Sequence, residues 1–181
     1  MNNRVEIMEV GLRDGLQNIR GDLSIEDRLF IIEGLIEAGI TNIQIASFVN
    51  PKRVPQMAFA EDLASRIDRI KGIEFSGLVF NQKGVERALN CGLNKIETSI
   101  SISERYSQKN LAMCVSDSLK NLKDIVAVAK KSSMNIRAGL QCVWGFKDND
   151  SFNQFVVIER LKEIIEMGVK RISLCDTSGL A

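Results

Sequence analysis

Apolar positions along the chain alternate between two periods. Val5 to Val10 reads as a strand. From Ile25 to Ala38 the period lengthens, and Ile25, Leu29, Ile32, Leu35 and Ile36 fall on one helical stripe. Ser24 stands where an N-cap belongs, Asp27 adds negative charge to the first turn, and Gly39 suits the stop. The alternation continues with a strand at Asn42–Ala46 and a helix over Ala58–Ile70 bearing Phe59, Leu63 and Ile67. A strand at Ile73–Phe80, a helix at Lys83–Asn90 and a strand at Lys95–Ile100 follow. Next come a helix over Ser116–Lys130 with Leu119, Leu122, Val126 and Ala129 on one face, then a strand at Asn135–Gln141. A helix over Phe152–Glu166 with Ile158, Leu161 and Ile165, and a strand at Arg171–Cys175, complete the series.

The joints repeat. Ala38-Gly39-Ile40-Thr41-Asn42-Ile43-Gln44, Cys91-Gly92-Leu93-Asn94-Lys95-Ile96-Glu97 and Met167-Gly168-Val169-Lys170-Arg171-Ile172-Ser173 share one form: glycine, an aliphatic residue, two polar residues, Ile, a polar residue. The glycine supplies the left-handed turn that ends a helix, and a strand begins at once. Repeated β/α units predict parallel strands and right-handed crossovers. Periodicity alone leaves an open doubly wound sheet and part of a (β/α)8 TIM barrel as equals. No interdomain linker or low-complexity tract interrupts residues 1–181, which read as one domain.

Charge narrows the function classes. Lys and Arg total 24 against 23 Asp and Glu, for a net charge of +1, so no field draws a polyanion. This predicts no nucleic acid and no anionic membrane as partner. No apolar run reaches the roughly 18 residues of a membrane span, and no signal peptide is read at the start. Histidine is absent, which excludes a Ser-His-Asp triad, a Cys-His pair and a histidine-ligated metal within these residues. Cys91, Cys114, Cys142 and Cys175 form no C-x-x-C, so free thiols in a cytoplasmic, reducing compartment are expected. Neither G-x-G-x-x-G nor a P-loop follows the first strand, which removes the usual grounds for a dinucleotide or nucleoside triphosphate.

In parallel β/α folds the reactive groups gather at the carboxyl ends of the strands. Arg13, Asp14 and Gln17 follow strand one. Gln44, Ser47 and Asn50 lie on or after strand two, and Asn81 after strand three. Ser99, Ser101, Glu104 and Arg105 attend strand four, Gln141 and Cys142 strand five, and Asp176 and Thr177 strand six. Arg13 beside Asp14 reads either as a loop ion pair or as a guanidinium that holds a substrate carbonyl next to a cation-binding carboxylate. Asp176-Thr177 reads equally as a helix N-cap. Gln44, Ser47 and Asn81 taken singly are ordinary turn polar groups. Lys52, Arg53 and Lys109 read either as scattered surface charges or as candidates to meet a phosphorylated or coenzyme A tail. Cys142 and Cys175 read as small buried thiols.

The stretch Glu9-Val10-Gly11-Leu12-Arg13-Asp14-Gly15-Leu16-Gln17-Asn18 resembles the first-strand motif of the 3-hydroxy-3-methylglutaryl-CoA lyase family, within a wider group of metal-dependent (β/α)8 lyases and synthases. Ser47-Phe48-Val49-Asn50-Pro51-Lys52-Arg53-Val54-Pro55-Gln56-Met57 is similar to its second-strand loop. Asn81 with Lys83-Gly84, Ser103-Glu104 with Lys109-Asn110, and Asp176-Thr177-Ser178-Gly179 extend the likeness through the chain. The resemblance implies a partial (β/α)8 barrel of about six β/α units. It implies retro-Claisen cleavage of an acyl-CoA substrate to acetyl-CoA and a 3-oxo acid, with a divalent cation, magnesium or manganese. By position, Asp14 becomes a metal ligand, Arg13 the stabiliser of the developing enolate oxygen, and Asp176 a catalytic group from strand six. Gln17, Gln44, Ser47 and Asn81 become substrate-binding residues.

This chain departs from the pattern at named places. Leu12 replaces the family's usual proline. Gln44 replaces a glutamate, keeping the hydrogen bond and losing the charge. The family's paired histidines, its later asparagine ligand and its mobile-loop cysteine fall beyond Ala181. The expectation is a chain truncated after the sixth strand, with an incomplete metal ligand set and little turnover of its own. Homo-oligomerisation, or association through open sheet edges, is expected with it. Two alternatives stand beside this reading: a 2-oxo-acid Claisen synthase, aldolase or carboxyltransferase of the same group, and a noncatalytic partner-binding remnant.

Overall fold

The computed structural model describes residues 5–19, 21, 23–146 and 153–181. Phe152, the expected start of the last helix, lies outside them, as do Met1 to Arg4. The chain divides into two compact units, Met1–Val79 with Lys83–Ile96, and Phe80–Gln82 with Glu97–Ala181.

In the first unit, β1 (Met8–Glu9) pairs parallel with β2 (Asn42–Ser47), and β2 pairs parallel with β3 (Glu74–Leu78). Helix α1 (Ile25–Glu37) joins β1 to β2, and α2 (Ala60–Arg66) joins β2 to β3. Helix α3 (Gln82–Asn90) leads to β4 (Lys95–Ser101). The sequence expectation for β1 was too long. Its ladder covers only Met8 and Glu9, and Val5 and Ile7 are exposed. Helix α2 is likewise shorter than expected. A 3-10 turn at Pro55–Met57 precedes it, and Ile67 already has extended backbone.

Helix α1 starts as its sequence predicts. Ser24 Oγ accepts the Asp27 N–H at 3.1 Å and Asp27 Oδ2 accepts the Ser24 N–H at 3.1 Å, a reciprocal capping box. The Ser24 contacts hold the Asp27 carboxyl below the usual range. The three repeat glycines, Gly39, Gly92 and Gly168, have φ of +85°, +77° and +88°, the conformation that the repeated joint requires.

In the second unit, β4 is followed by α4 (Glu104–Leu111), α5 (Val115–Lys131), β5 (Asn135–Gln141), α6 (Gln154–Glu166) and β6 (Arg171–Cys175). Strands β5 and β6 pair parallel from Arg137↔Arg171 to Gln141↔Cys175. The core gathers Ile100, Leu122, Val126, Ala138, Leu140, Val157 and Ile164. One expected face is corrected here. Val157 and Ile164 are buried on α6, whereas Ile158 and Ile165 are exposed. Two apolar stripes run side by side on this helix, and periodicity does not choose between them.

Close packing in the first unit is most severe around Phe48, which is 1 % exposed. A Cβ added at Gly77 would overlap the Phe48 ring and come within 3.2 Å of Leu93. The ring is confined on all sides, so it has little room to yield. Gly77→Ala is expected to cost about 2 kcal/mol, read as a lower urea midpoint. The double variant Gly77→Ala/Phe48→Leu is expected to recover part of that loss. A midpoint unchanged by Gly77→Ala would refute the packing argument.

Candidate active site

The turn after β1 is built to present two adjacent charges. Gly11 to Gly15 form a single π-helical turn, in which the Arg13 and Asp14 N–H groups both donate to Val10 O, at 3.1 and 2.7 Å. Leu12 is buried and anchors the turn, so the residue that replaces proline serves as a plug. Glu9 Oε1 accepts the Gly11 N–H at 2.5 Å, and a Cβ at Gly11 would stand 2.8 Å from that oxygen. That oxygen ends a flexible side chain and can move aside, so the contact is close without demanding glycine.

Arg13 is fixed from two sides. Its Nε donates to Gln44 Oε1 at 2.5 Å and its Nη1 to Asp14 Oδ1 at 2.6 Å. Gln44 is 1 % exposed, and its amide is a neutral acceptor. Both contacts are charge-assisted hydrogen bonds, each worth about 1.5–3 kcal/mol where solvent is excluded. The Asp14 side chain is 62 % exposed, so its contact is the weaker of the two. Nη2 has no hydrogen-bond partner among the described residues. The arrangement leaves one edge of a held guanidinium open.

A register shift between Gln44 and Ala46 sets the far end of β2. Such a bulge re-aims the side chains that follow it. Ser47 is fully buried, and its N–H donates to Met57 Sδ at 3.4 Å. Its Oγ has no partner, which marks it among the described residues as a buried polar group left unsatisfied. Gln17 is half-buried in the 3-10 turn Leu16–Asn18, next to the charged pair in sequence. Arg13, Asp14 and Gln44 are thus brought into contact, with Ser47 three positions along the same strand as Gln44.

Asn81 and Asp176 belong to the second unit. Asn81 is exposed, three residues beyond the end of β3. Asp176 caps no helix. Its Oδ1 accepts the Leu180 N–H at 2.8 Å and its Oδ2 the Ala181 N–H at 3.1 Å. These backbone donors, Leu180 first, hold its carboxyl below the usual range. The group is therefore ionised at neutral pH, and the turn it holds loosens only as pH falls through that lowered value. Next to it, Thr177 Oγ1 accepts the Cys142 N–H at 2.9 Å. Cys142 is buried as expected, whereas Cys175, expected to be buried too, is only half-buried. Gln141 Oε1, at the end of β5, is another buried acceptor without a partner. Lys52, Arg53 and Lys109 are exposed.

Among the described residues, Asp14 is the exposed carboxylate beside Arg13, whereas Glu9, the other carboxylate at this turn, already accepts the Gly11 N–H. No group of three or more His, Cys, Asp or Glu suited to a metal occurs among the described residues. A magnesium-type ion needs several oxygen donors, so the described residues alone do not fit it. Two contributors escaped sequence reasoning. Glu9 had a faint signal, since it opens the stretch that carries Arg13 and Asp14. Met57 had none, because a buried thioether accepting an amide looks like any core methionine.

A model of the HMGL-like family matches residues 4–181. The hydroxymethylglutaryl-CoA lyase of Bacillus subtilis is 39 % identical over 98 % of this chain, which spans 60 % of that protein. A 3-hydroxy-3-isohexenylglutaryl-CoA/hydroxymethylglutaryl-CoA lyase of Pseudomonas aeruginosa is 32 % identical over 98 %, with 59 % of its own length covered. The crystal structure of the Bacillus subtilis lyase superposes with a TM-score of 0.93 over 98 % of this chain and 60 % of that one. A lyase from Acinetobacter baumannii, solved with coenzyme A and 3-methylmalate, gives 0.90 at 26 % identity, over 97 % of this chain and 57 % of that one. The fold class is a partial (β/α)8 barrel. The chain spans about 60 % of the length of these relatives. Among the described residues, no helix is long and apolar enough to cross a membrane.

Proposed function

This chain belongs to the HMGL-like family, and on that premise we propose that it carries the arginine-bearing part of a lyase site for a 3-hydroxyacyl-CoA thioester. The substrate of this reading is 3-hydroxy-3-methylglutaryl-CoA. The C2–C3 bond breaks, its electron pair passes to the thioester as an enolate, and the C3 hydroxyl gives up its proton to become the ketone of acetoacetate. The enolate then takes a proton to yield acetyl-CoA. Negative charge develops on one oxygen, and a preorganised donor beside it lowers the barrier.

The observation that carries the reading is the Arg13 guanidinium, held by Gln44 and Asp14 with Nη2 open. Gln44 adds no charge, so Arg13 and Asp14 form a balanced pair. Ser47 with its unpartnered hydroxyl, Gln17 and Asn81 are read as substrate-binding. Asp176 is read as a catalytic carboxylate. Its lowered pKa keeps it ionised and argues against an acid, and it also makes the group a weak base, so its charge rather than proton transfer is what it offers. Asp14 is read as one ligand of a divalent cation. A cytoplasmic setting belongs to the same reading.

Calorimetric titration of the chain with 3-hydroxy-3-methylglutaryl-CoA, and with coenzyme A alone, tests it. Saturable binding is expected, tighter for the thioester. No saturable binding overturns the reading. Because the described residues give one carboxylate toward a cation, acetoacetate in the same tube with magnesium is expected at the blank level. Clear production would overturn the ligand count.

A further inference from the structure

Beyond the strand ends, one helix residue gathers the segment that follows β2. Arg87 lies on α3. Its Nε donates to Glu61 Oε1 on α2, and its Nη1 donates to Val49 O at 2.9 Å. Its guanidinium carbon lies 6.0 Å from the centre of the Phe48 ring. Burial of the Glu61 carboxyl is outweighed by the Arg87 hydrogen bond, which holds the carboxyl ionised below its usual range. The same segment is gripped elsewhere. The Phe48 N–H donates to Leu78 O at 2.8 Å, and a Cβ at Gly84 would stand 2.9 Å from Phe48 O. The backbones of α3 and of the segment are therefore nearly in contact. Beyond Val49 the chain turns about Asn50, whose carbonyl accepts the Arg53 and Val54 N–H groups, and this turn exposes Lys52 and Arg53.

We propose that Arg87 is a positioning residue. It clamps the backbone just beyond β2 through Val49 O, braced by Glu61, and so keeps the strand end bearing Gln44 and Ser47 in the geometry that the thioester needs. This rests on reading that strand end as substrate-binding. An arginine suits the task because its planar fork addresses a carboxylate and a carbonyl at once. A lysine reaches either one but presents no fork.

Lys52 and Arg53 make the clamp measurable, since trypsin cuts after each once the turn opens locally. Arg87→Met is expected to speed cleavage at these two bonds about 10-fold, with other sites unchanged, and to weaken binding of 3-hydroxy-3-methylglutaryl-CoA about 10-fold. Arg87→Lys is expected to restore part of both. A general loss of stability would instead speed cleavage at all sites and lower the melting midpoint. Unchanged cleavage at Lys52 and Arg53 overturns the clamp. Faster cleavage there with thioester affinity unchanged overturns its link to the site. If the unsubstituted chain binds no thioester, the functional reading fails, and the cleavage ratio alone decides the clamp. Should Arg87→Met not fold, Glu61→Gln and Arg87→Lys carry the same two measurements.

Discussion

Arg13→Gln is expected to weaken binding of 3-hydroxy-3-methylglutaryl-CoA about 10- to 100-fold, as expected for loss of one charge-assisted hydrogen bond in a sheltered site. Where the site turns over, retro-Claisen cleavage is expected to fall further, about 100- to 1,000-fold, because the donor matters most when the enolate charge appears. The larger loss in turnover separates a transition-state role from simple attraction. Arg13→Lys should recover little. Arg13 meets Gln44 through Nε and Asp14 through Nη1 while Nη2 stays open, and an ammonium cannot reproduce that spread. Gln44→Leu is the companion measurement. It leaves the charge in place and removes the buried acceptor, so a smaller loss is expected, of about 10-fold. Equal affinity in Arg13→Gln and the unsubstituted chain would remove Arg13 from the site.

The sequence carried the repeated units because each joint is local. Gly39, Gly92 and Gly168 must take positive φ, an aliphatic residue must follow, and the strand must begin. Strands β5 and β6 accordingly stand at their expected bounds. Helix α4 was invisible to periodicity because Glu104–Leu111 is polar almost throughout. Its formation depends on a cap, with Ser103 Oγ accepting the Tyr106 N–H at 3.2 Å, and on Glu104, whose carboxylate accepts the Val115 N–H at the start of α5. The stripe on α6 is ambiguous for the opposite reason, an excess of apolar positions. At the site, Arg13 and Asp14 were legible as neighbours in sequence. That Gln44 reaches Arg13 across 31 residues follows from the parallel pairing of β1 with β2. The orphaned Ser47 hydroxyl was not legible, because it depends on tertiary burial and on a bulge that no local pattern announces, and the Arg87 contacts were not, because they join residues 26 and 38 positions apart.

The largest stability effect is expected in the second unit, at Arg137. Both its Nε and its Nη2 donate to Glu97 Oε2, at 3.0 and 2.5 Å. The Glu97 side chain is only 7 % exposed, whereas that of Arg137 is 28 % exposed. The two ends of the pair are therefore unequal. Removing the carboxylate leaves an arginine that can turn partly to water. Removing the guanidinium leaves a carboxylate stripped of its main cation in a place water hardly reaches. Arg137→Met is thus expected to cost about 3–5 kcal/mol, and Glu97→Leu distinctly less. The double variant Arg137→Met/Glu97→Leu is expected to lie nearer the unsubstituted chain than Arg137→Met does, because it removes the desolvated charge along with its partner. Urea unfolding of the four chains measures the coupling directly. If the two single losses simply add in the double variant, the pair is not coupled, and the asymmetry argued from its exposure is wrong. If the double variant loses less than that sum, the difference is the coupling energy of the ion pair. Its other consequence is then register. Strands β4 and β5 are neighbours in the sheet, and a one-residue slip between them would turn Glu97 away from Arg137 and leave each charge without this partner.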